Sequence, residues 1–345
     1  MTFRLTYLIL VIYLLILWVF LNIWGIDAIN GVIDFEFYAD SETYMEYAKD
    51  GITFFEMILF NPNLIGPVYL ARFLGNNYNL IFFLNAFILF YSYKLVTTNF
   101  KVNRYLLLFL WILSPMMISS VLSINKEIVA VLSSIMVLVY IKNGKYLYLA
   151  GAICLGLFVR WQQVLFVLLL ASLFSNLNPL RNKMFLSFIL LLLGISILYP
   201  LATIGTVQEM IVASEDVNNA DGGSGIYFLL NELQSKPFMY TILFIPKLIF
   251  LLFSTLTRVG TFGKLDSFYN DTIVFAQCVC YLFISILLVI KKKISFKNLF
   301  FFSALIYCLL FTLSPIFAPR YLFIFYILSA VAVSEEIDNP EDKLT

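Results

Sequence analysis

The sequence predicts an all-α polytopic membrane protein with about 10–11 transmembrane helices. Of the 345 residues, 62% are hydrophobic and only 12% are charged. The mean hydropathy is +0.93, far above that of soluble globular domains. Long apolar runs alternate with short charged or turn-forming segments along the chain. These three observations exclude a soluble globular class.

The individual spans follow from the apolar runs. A bilayer core about 30 Å thick requires roughly 20 apolar residues in a helix. The first run, "LTYLILVIYLLILWVFLNIW", is too long for a signal peptide, and no small-residue cleavage site follows it. The candidate spans are about 5–24, 78–98, 105–122, 127–141, 146–159, 161–175, 184–204, 240–257, 272–290, 297–314 and 321–334.

Positive charge sets the sidedness, because cytoplasmic loops are rich in Lys and Arg. Segment 240–257 carries Pro246 and Lys247 in its middle. If this segment crossed the membrane, the basic cluster 291–297 would lie on the outer side, against the distribution of the other Lys and Arg residues. We therefore expect this segment to be re-entrant or interfacial, which leaves ten spans with both termini cytoplasmic. The residues that indicate the inside are Arg4, Lys94, Lys101, Arg104, Lys142, Lys145, Arg181, Lys183, Lys291, Lys292, Lys293 and Lys297.

This topology gives one integral-membrane domain, 1–334, with a disordered cytoplasmic tail at 335–345. Its outer segments are about 25–77, 205–237 and 258–271. In the first, "YMEYAKDGITFFEMILF" predicts an amphipathic helix on the membrane surface, broken at Gly51. In the second, "SEDVNNADGGSG" is typical of a mobile loop over a membrane-embedded site.

Composition also limits the chemistry. The chain contains no histidine, so any catalysis must use carboxylates, Lys, Arg, Tyr or backbone groups. Its four cysteines lie in apolar runs, so we expect no disulfide. We also expect no cofactor. A divalent metal stays open as an alternative, but Asp40 and Glu42 alone are too few ligands to indicate one. The net charge of +1 and the absence of a basic motif predict no nucleic-acid partner.

Charged residues gather on the predicted outer face, although they come from distant parts of the sequence. Outer turns this short should avoid cations, yet nearly every one carries a cation, so a shared anionic ligand is the economical explanation. These residues are Asp40, Glu42, Lys126, Glu127, Arg160, Lys247, Arg258 and Arg320, with Tyr321 beside the last.

Each of these residues also has a simpler interpretation. Asp40 is a good helix cap, which for an isolated aspartate is the more common role. Lys126 and Glu127 have the spacing of a surface ion pair. Arg160 and Arg320 have the positions of arginines that reach lipid headgroups, and Tyr321 that of an interfacial aromatic residue.

A lipid-linked phosphate or diphosphate fits the predicted outer cluster, because its headgroup lies at this depth and arginine binds phosphate oxygens well. Such a phosphate is also a leaving group, and fixed cations stabilise the charge that develops on it. Without histidine, the base for an attacking hydroxyl must be a carboxylate, and Asp40 is the first candidate, before Glu42 and Glu127. The predicted phosphate-binding residues are Lys126, Arg160, Lys247, Arg258, Arg320 and Tyr321.

Several motifs resemble those of a known group of membrane enzymes. They are "DSETY", "GPVYLARFLG", "LSPMMISSVLSINKE", "GLFVRWQQVLFVLLLA" and "APRYLF". In this order they resemble the GT-C superfamily of glycosyltransferases with polyprenyl-linked donors. Within it the chain is most similar to Wzy-type polymerases of O-antigen or capsular repeat units. The resemblance implies a GT-C-like fold, with the first-loop aspartate of the family at Asp40 and its outer-face arginines at Arg160 and Arg320.

The resemblance implies a polymerase on the outer face of a bacterial inner membrane. Its substrates are a polyprenyl-diphosphate-linked oligosaccharide donor and acceptor in the membrane lipid, and its expected partners are chain-length regulator and flippase proteins. Two alternatives stay open. Because neither the Arg-x10-Gly spacing nor the loop histidine of well-described polymerases occurs here, a GT-C transferase that adds one sugar from polyprenyl monophosphate is the first. A flippase or transporter of lipid-linked oligosaccharide is the second, with Lys247 as its best supporting residue.

Overall fold

The computed structural model describes residues 2–23, 40–60, 62–202, 225–263 and 268–336. This part of the chain is helical throughout, apart from connecting loops and an isolated antiparallel bridge between Val102 and Glu335. The all-α prediction is therefore confirmed. The loop "SEDVNNADGGSG" up to residue 224, and residues 337–345 of the predicted tail, lie outside the described residues.

The α-helices are numbered in chain order. They are α1 (Thr2–Ile23), α2 (Ser41–Lys49), α3 (Phe54–Phe60), α4 (Ile65–Phe73), α5 (Tyr78–Asn99), α6 (Arg104–Leu113), α7 (Pro115–Leu122), α8 (Glu127–Asn143), α9 (Tyr146–Val159), α10 (Trp161–Leu173), α11 (Met184–Ala202), α12 (Gly225–Gln234), α13 (Met239–Phe253), α14 (Phe275–Ile290), α15 (Leu299–Phe311) and α16 (Phe323–Ser334). Turns of 3-10 helix lie at Pro62–Leu64, Ser254–Thr261 and Pro319–Leu322, and a π-helical turn lies at Tyr269–Val274.

Four helices in the described ranges are long and apolar enough to cross a membrane. They are Leu5–Ile23, Tyr78–Asn99, Met239–Thr257 and Asp271–Ile290, and the bent pair α6 and α7 adds a fifth if it is one span. Other apolar helices have only 10–17 residues, less than a bilayer core requires. The described residues thus support a membrane protein with four or five full-length spans, and the predicted ten or eleven are not confirmed.

The predicted single span at 105–122 is wrong in one respect, because the helix breaks at Ser114 and turns through 74°. Pro115 has no backbone N–H and suits the first turn of a new helix. Ser114 is extended, and its hydroxyl accepts a hydrogen bond from the backbone N–H of Met117 as an N-cap. The same hydroxyl donates to Gln277 Oε1 at 2.6 Å, which ties the break to α14.

The bundle has two distinct ends. At one of them, Lys293 Nζ lies 3.4 Å from the carboxylate of Glu335, and Lys142 donates a hydrogen bond to the carbonyl of Asn99. At the opposite end lies Arg320, and the buried helix α16 connects it to Glu335. We call these the Lys293 end and the Arg320 end. The basic clusters that indicate the cytoplasm thus meet at the Lys293 end, whereas the orientation of the termini stays a prediction.

Segment 240–257 is helical through Pro246, so the proline does not break it, and its length and composition allow a crossing. Both ends of this segment nevertheless contact residues in the half of the bundle nearer to the Arg320 end. Tyr240 Oη lies 2.6 Å from Thr312 Oγ1, and Thr255 Oγ1 donates to Cys278 Sγ near the start of α14. These contacts favour the re-entrant or interfacial arrangement, which stays a prediction.

The described part of the first outer segment, which starts at Asp40, packs against the Arg320 end. Helices α2 and α3 are separated at Gly51, whose φ of +72° a side chain rarely adopts. Tyr44, Met45 and Ala48 of α2 are buried in a small apolar cluster with residues of α4. The predicted break at Gly51 is confirmed, and the position of these helices on a membrane surface stays a prediction.

Helix α4 packs closely on α9 at Gly66. A Cβ at this position would lie 1.7 Å from the backbone oxygen of Phe158, an atom that cannot rotate away. We therefore expect Gly66→Ala to lower the free energy of unfolding by about 3 kcal/mol, as overpacking does. The control is Gly151→Ala, whose new methyl group would meet only the flexible end of Met136. Thermal melting in detergent compares the two variants, and equal melting temperatures would contradict the packing described here.

Candidate functional site

Asp40 and Arg320 form an ion pair at the Arg320 end, although 280 residues separate them in sequence. Arg320 Nη2 lies 3.1 Å from Asp40 Oδ2 and donates to Oδ1 at 3.3 Å. The Tyr44 hydroxyl donates to the same carboxylate at 3.4 Å. The carboxylate of Asp40 therefore faces Arg320 from the start of α2.

The helix-cap interpretation of Asp40 is wrong. Asp40 occupies the N-cap position of α2, but its side chain makes no capping hydrogen bond. Its φ is +60°, in the left-handed region that is uncommon outside glycine and that Asp and Asn adopt most readily. This conformation directs the carboxylate to Arg320 instead of the first turn of the helix.

Neighbouring groups keep the Asp40 carboxylate ionised. Burial raises its pKa, but the charges of Arg320 and Lys126 and the hydrogen bonds from Arg320 and Tyr44 outweigh burial, so the pKa lies below its ordinary value. The Asp40 side chain is still 46% exposed. Asp40 is thus ionised, and part of its carboxylate is accessible from solvent.

Arg160 and Glu127 form a second ion pair, with Arg160 Nη2 3.2 Å from Glu127 Oε1. Arg160 is the extended residue between α9 and α10, and Glu127 begins α8. The guanidinium of Arg160 lies over the rings of Tyr321 and Phe311, with centroid distances of 4.7 and 5.4 Å. Since the Arg160 side chain is only 9% exposed, the lipid-headgroup interpretation of this arginine is wrong.

Lys126 lies between the two pairs, with Nζ 5.3 Å from the ring centroid of Tyr44. Its backbone N–H donates to the Glu127 side chain, whose other oxygen pairs with Arg160, so the expected surface pair between Lys126 and Glu127 is wrong. Burial, and then the nearby charge of Arg160, lowers the pKa of Lys126 to about 8.

This pKa predicts a pH dependence. The ammonium of Lys126 is lost as the pH rises through about 8, whereas an ordinary lysine stays cationic to about 10.4. Affinity for a phosphorylated ligand should therefore fall about tenfold by about pH 9. Titration of binding across this range checks it. In Lys126→Arg, which does not titrate there, the affinity should be constant, and the same decline in that variant would refute the role of Lys126.

We call the group Asp40, Lys126, Glu127, Arg160 and Arg320 the Arg320 site. Five separate parts of the chain supply these residues and the aromatic rings around them. Its three cations and two carboxylates leave one net positive charge. An anionic ligand must therefore compete with Asp40 and Glu127 for the two arginines.

Sequence reasoning missed two parts of this site. Tyr269, in the π-helical turn, is buried and lines the same pocket as Arg320, and burial above all raises its pKa. A narrow pocket beside Asp40, Glu127 and Arg320 is lined by polar groups that follow the break at Ser114. They are Ser119, Ser120, Ser123 and Asn125. The serines after Pro115 could have indicated this polar pocket in the sequence. They were not singled out because uncharged serines are common in membrane helices.

Three predicted site residues are not part of the Arg320 site as described. Lys247 is buried, donates to Gln234 Oε1 at 2.6 Å and to the Ser314 carbonyl at 3.0 Å, and lies over the ring of Tyr227. It connects α12 and α13 to the loop before Arg320, so these contacts give its predicted role as a phosphate ligand no support, and that role stays a prediction. Glu42 lies on α2 and Arg258 in a 3-10 turn, and their side chains lie outside the described residues.

No three metal-ligating side chains come together in the described part of the chain, and the four cysteines are free. No protein-family model matches this chain, and no curated protein or solved structure shows significant similarity to it. Function is therefore inferred from the geometry of the Arg320 site.

Proposed function

We propose that the chain is a glycosyltransferase that uses a polyprenyl-diphosphate-linked donor. The observation that supports this most is the convergence of two arginines, a lysine and an ionised aspartate at one end of an apolar bundle. Cations at the end of a membrane bundle can bind a phosphorylated lipid, because the headgroup of such a lipid lies at the membrane surface and its chains stay in the bilayer. Serine hydroxyls and Asn125 beside them can exchange hydrogen bonds with a sugar hydroxyl, but their pocket holds only about 10 Å³, so these side chains must move apart to admit a sugar.

In the proposed reaction, the donor diphosphate takes the place of the carboxylates on Arg320 and Arg160. Asp40, released from Arg320, loses the charge that lowers its pKa and becomes a better proton acceptor. An acceptor hydroxyl attacks the anomeric carbon, the bond from that carbon to the phosphate oxygen breaks, and the hydroxyl proton passes to Asp40. Arg320, Arg160 and Lys126 stabilise the negative charge on the departing diphosphate.

The resemblance to GT-C enzymes, and within them to Wzy-type polymerases, gives the proposal its substrate. The chain then joins repeat units of O-antigen or capsule on the outer face of a bacterial inner membrane, with both of its termini in the cytoplasm. Chain-length regulator and flippase proteins are its proposed partners. The Lys293 end is then cytoplasmic, in agreement with its Lys142 and Lys293.

Gel electrophoresis of surface glycans from a deletion strain tests the proposal. A polymerase defect leaves a single repeat unit where the wild type has a ladder of long chains. Loss of one sugar from every unit identifies the single-sugar transferase instead. Precursor held on the cytoplasmic leaflet identifies a flippase, although the packing of Lys247 against Gln234 and Ser314 removes the residue that best supported that alternative.

A further inference from the structure

The loop that leads to Arg320 is held by side chains of other helices. Residues 312–318, between α15 and the 3-10 turn Pro319–Leu322, form no helix. Backbone of this kind lacks helical partners for its carbonyl groups, and an unpaired carbonyl is costly inside an apolar bundle. In the 312–318 loop, four successive carbonyls each accept a hydrogen bond from a side chain of α12 or α13. They belong to Leu313, Ser314, Pro315 and Ile316.

Tyr227 of α12 contacts this loop in two ways. Its hydroxyl donates to the Ser314 carbonyl at 2.9 Å and to the Ile316 carbonyl at 3.2 Å. Its ring is buried and packs edge-on against the ring of Phe317, with 5.4 Å between the two centroids. Polar and apolar contacts therefore both attach the loop to α12, a few residues before Arg320.

Two amide side chains of α12 and one lysine of α13 complete these contacts. Asn231 Nδ2 donates to the Pro315 carbonyl at 2.7 Å, and Gln234 Nε2 donates to the Leu313 carbonyl at 3.1 Å. Lys247 Nζ donates to Gln234 Oε1 at 2.6 Å, so α13 supports the same contact. The tyrosine and the two amides are spaced by four and three residues, and they therefore share one face of α12.

The loop leads directly into the Arg320 site. The carbonyl of Pro319, the residue before Arg320, accepts a hydrogen bond from the Tyr281 hydroxyl of α14 at 3.1 Å. The ring of Tyr321, the residue after Arg320, lies under the guanidinium of Arg160. The chain is thus held on both sides of Arg320, and the position of this arginine depends on the position of the loop.

We propose that Tyr227, Asn231 and Gln234 form a positioning face on α12 that sets the place of Arg320 in the Arg320 site. These side chains act through the loop, because their hydrogen bonds end on its carbonyl groups. The planar donors of a guanidinium must match the oxygens of a diphosphate in direction as well as distance. A loosened loop should therefore weaken selection of the diphosphate, a consequence that rests on the proposed function, whereas the hold of α12 on the loop does not.

Tyr227→Phe tests this face, because it removes two hydrogen bonds and keeps the aromatic ring. Hydrogen–deuterium exchange of the full-length protein in detergent should become about fivefold faster in 312–322, the change expected for one net hydrogen bond. Exchange in α8 should stay at the wild-type rate. The matched control is Tyr93→Phe, at a buried tyrosine whose hydroxyl donates to the Arg104 carbonyl at 3.0 Å near the Lys293 end. It should leave exchange in 312–322 unchanged.

The second measurement compares binding of a polyprenyl diphosphate with binding of the polyprenyl alcohol of equal chain length. Tyr227→Phe should lower the ratio of the two affinities about tenfold, the usual weight of one hydrogen bond to a charged group. Partial unfolding cannot imitate this change, because both ligands bind the same folded fraction. Tyr93→Phe should keep the wild-type ratio.

Wild-type exchange of 312–322 in Tyr227→Phe, equal exchange in the two variants, or a wild-type affinity ratio in Tyr227→Phe would overturn the proposal. A wild type that binds diphosphate and alcohol equally would contradict the proposed function instead. The exchange rates, which need no ligand, would then decide alone whether α12 holds the loop.

Discussion

Replacement of Arg320 by alanine is expected to slow glycan transfer by about 100-fold to 1,000-fold, the usual loss when a fixed electrostatic donor is removed. Arg320 lies against Asp40 and Tyr269, so the substitution removes both a proposed phosphate-binding cation and the neighbour that most lowers the pKa of Asp40. Transfer of repeat units in membranes from a strain expressing the variant measures the rate.

The matched control for this prediction is Arg181→Ala, because Arg181 is an exposed arginine in the connection between α10 and α11, away from the Arg320 site. We expect wild-type chain length from it. Arg320→Lys should recover only part of the activity, since an ammonium cannot reproduce the planar donors of a guanidinium. Normal chain length in Arg320→Ala, at normal protein level in the membrane, would remove this arginine from the mechanism.

Replacement of Arg160 by methionine is expected to destabilise the fold by about 3 kcal/mol, since it leaves a partly buried carboxylate without its cation. The carboxylate belongs to Glu127, whose side chain is only 16% exposed. Methionine keeps most of the packing against the rings of Tyr321 and Phe311. The loss should appear as a lower melting temperature in detergent.

A double-mutant cycle separates charge from packing at this pair. Arg160→Met combined with Glu127→Leu removes both charges, so it should recover most of the stability that the single variant loses. The activity should stay low in both variants, because a cation of the Arg320 site is missing. If the double variant is as unstable as the single one, the ion pair is not what holds α8 to the junction of α9 and α10.

The five charged residues of the Arg320 site could be predicted from the sequence, but the sequence also predicted Lys247 there and did not show how the charges pair. Cations in turns that should avoid them indicated that Arg160 and Arg320 share a site, and the absence of histidine indicated Asp40. The partners follow from tertiary geometry: Asp40 uses a left-handed backbone conformation to reach Arg320, and Glu127 bonds Arg160 instead of Lys126. No local pattern contains this information.

Part of the fold could likewise be predicted from the sequence. The apolar runs predicted helices, and Gly51 predicted the break between α2 and α3. Two further features could be established only from the structure. Ser114 and Pro115 are compatible with a kinked span as well as with a 74° turn, and Gln277 of a distant helix fixes the turn. Lys247 carries charge in an apolar run, which is typical of a functional residue, but Gln234 and Ser314 satisfy it inside the protein.

The most direct test of the account is binding of a polyprenyl diphosphate to the purified protein, compared with the polyprenyl alcohol of the same chain length. If the Arg320 site binds the diphosphate, the diphosphate binds more tightly than the alcohol. Arg320→Ala and Arg160→Met should then remove this difference, and Arg181→Ala should preserve it. Equal binding of diphosphate and alcohol by the wild type, or a preference for the diphosphate that survives both substitutions, would contradict it.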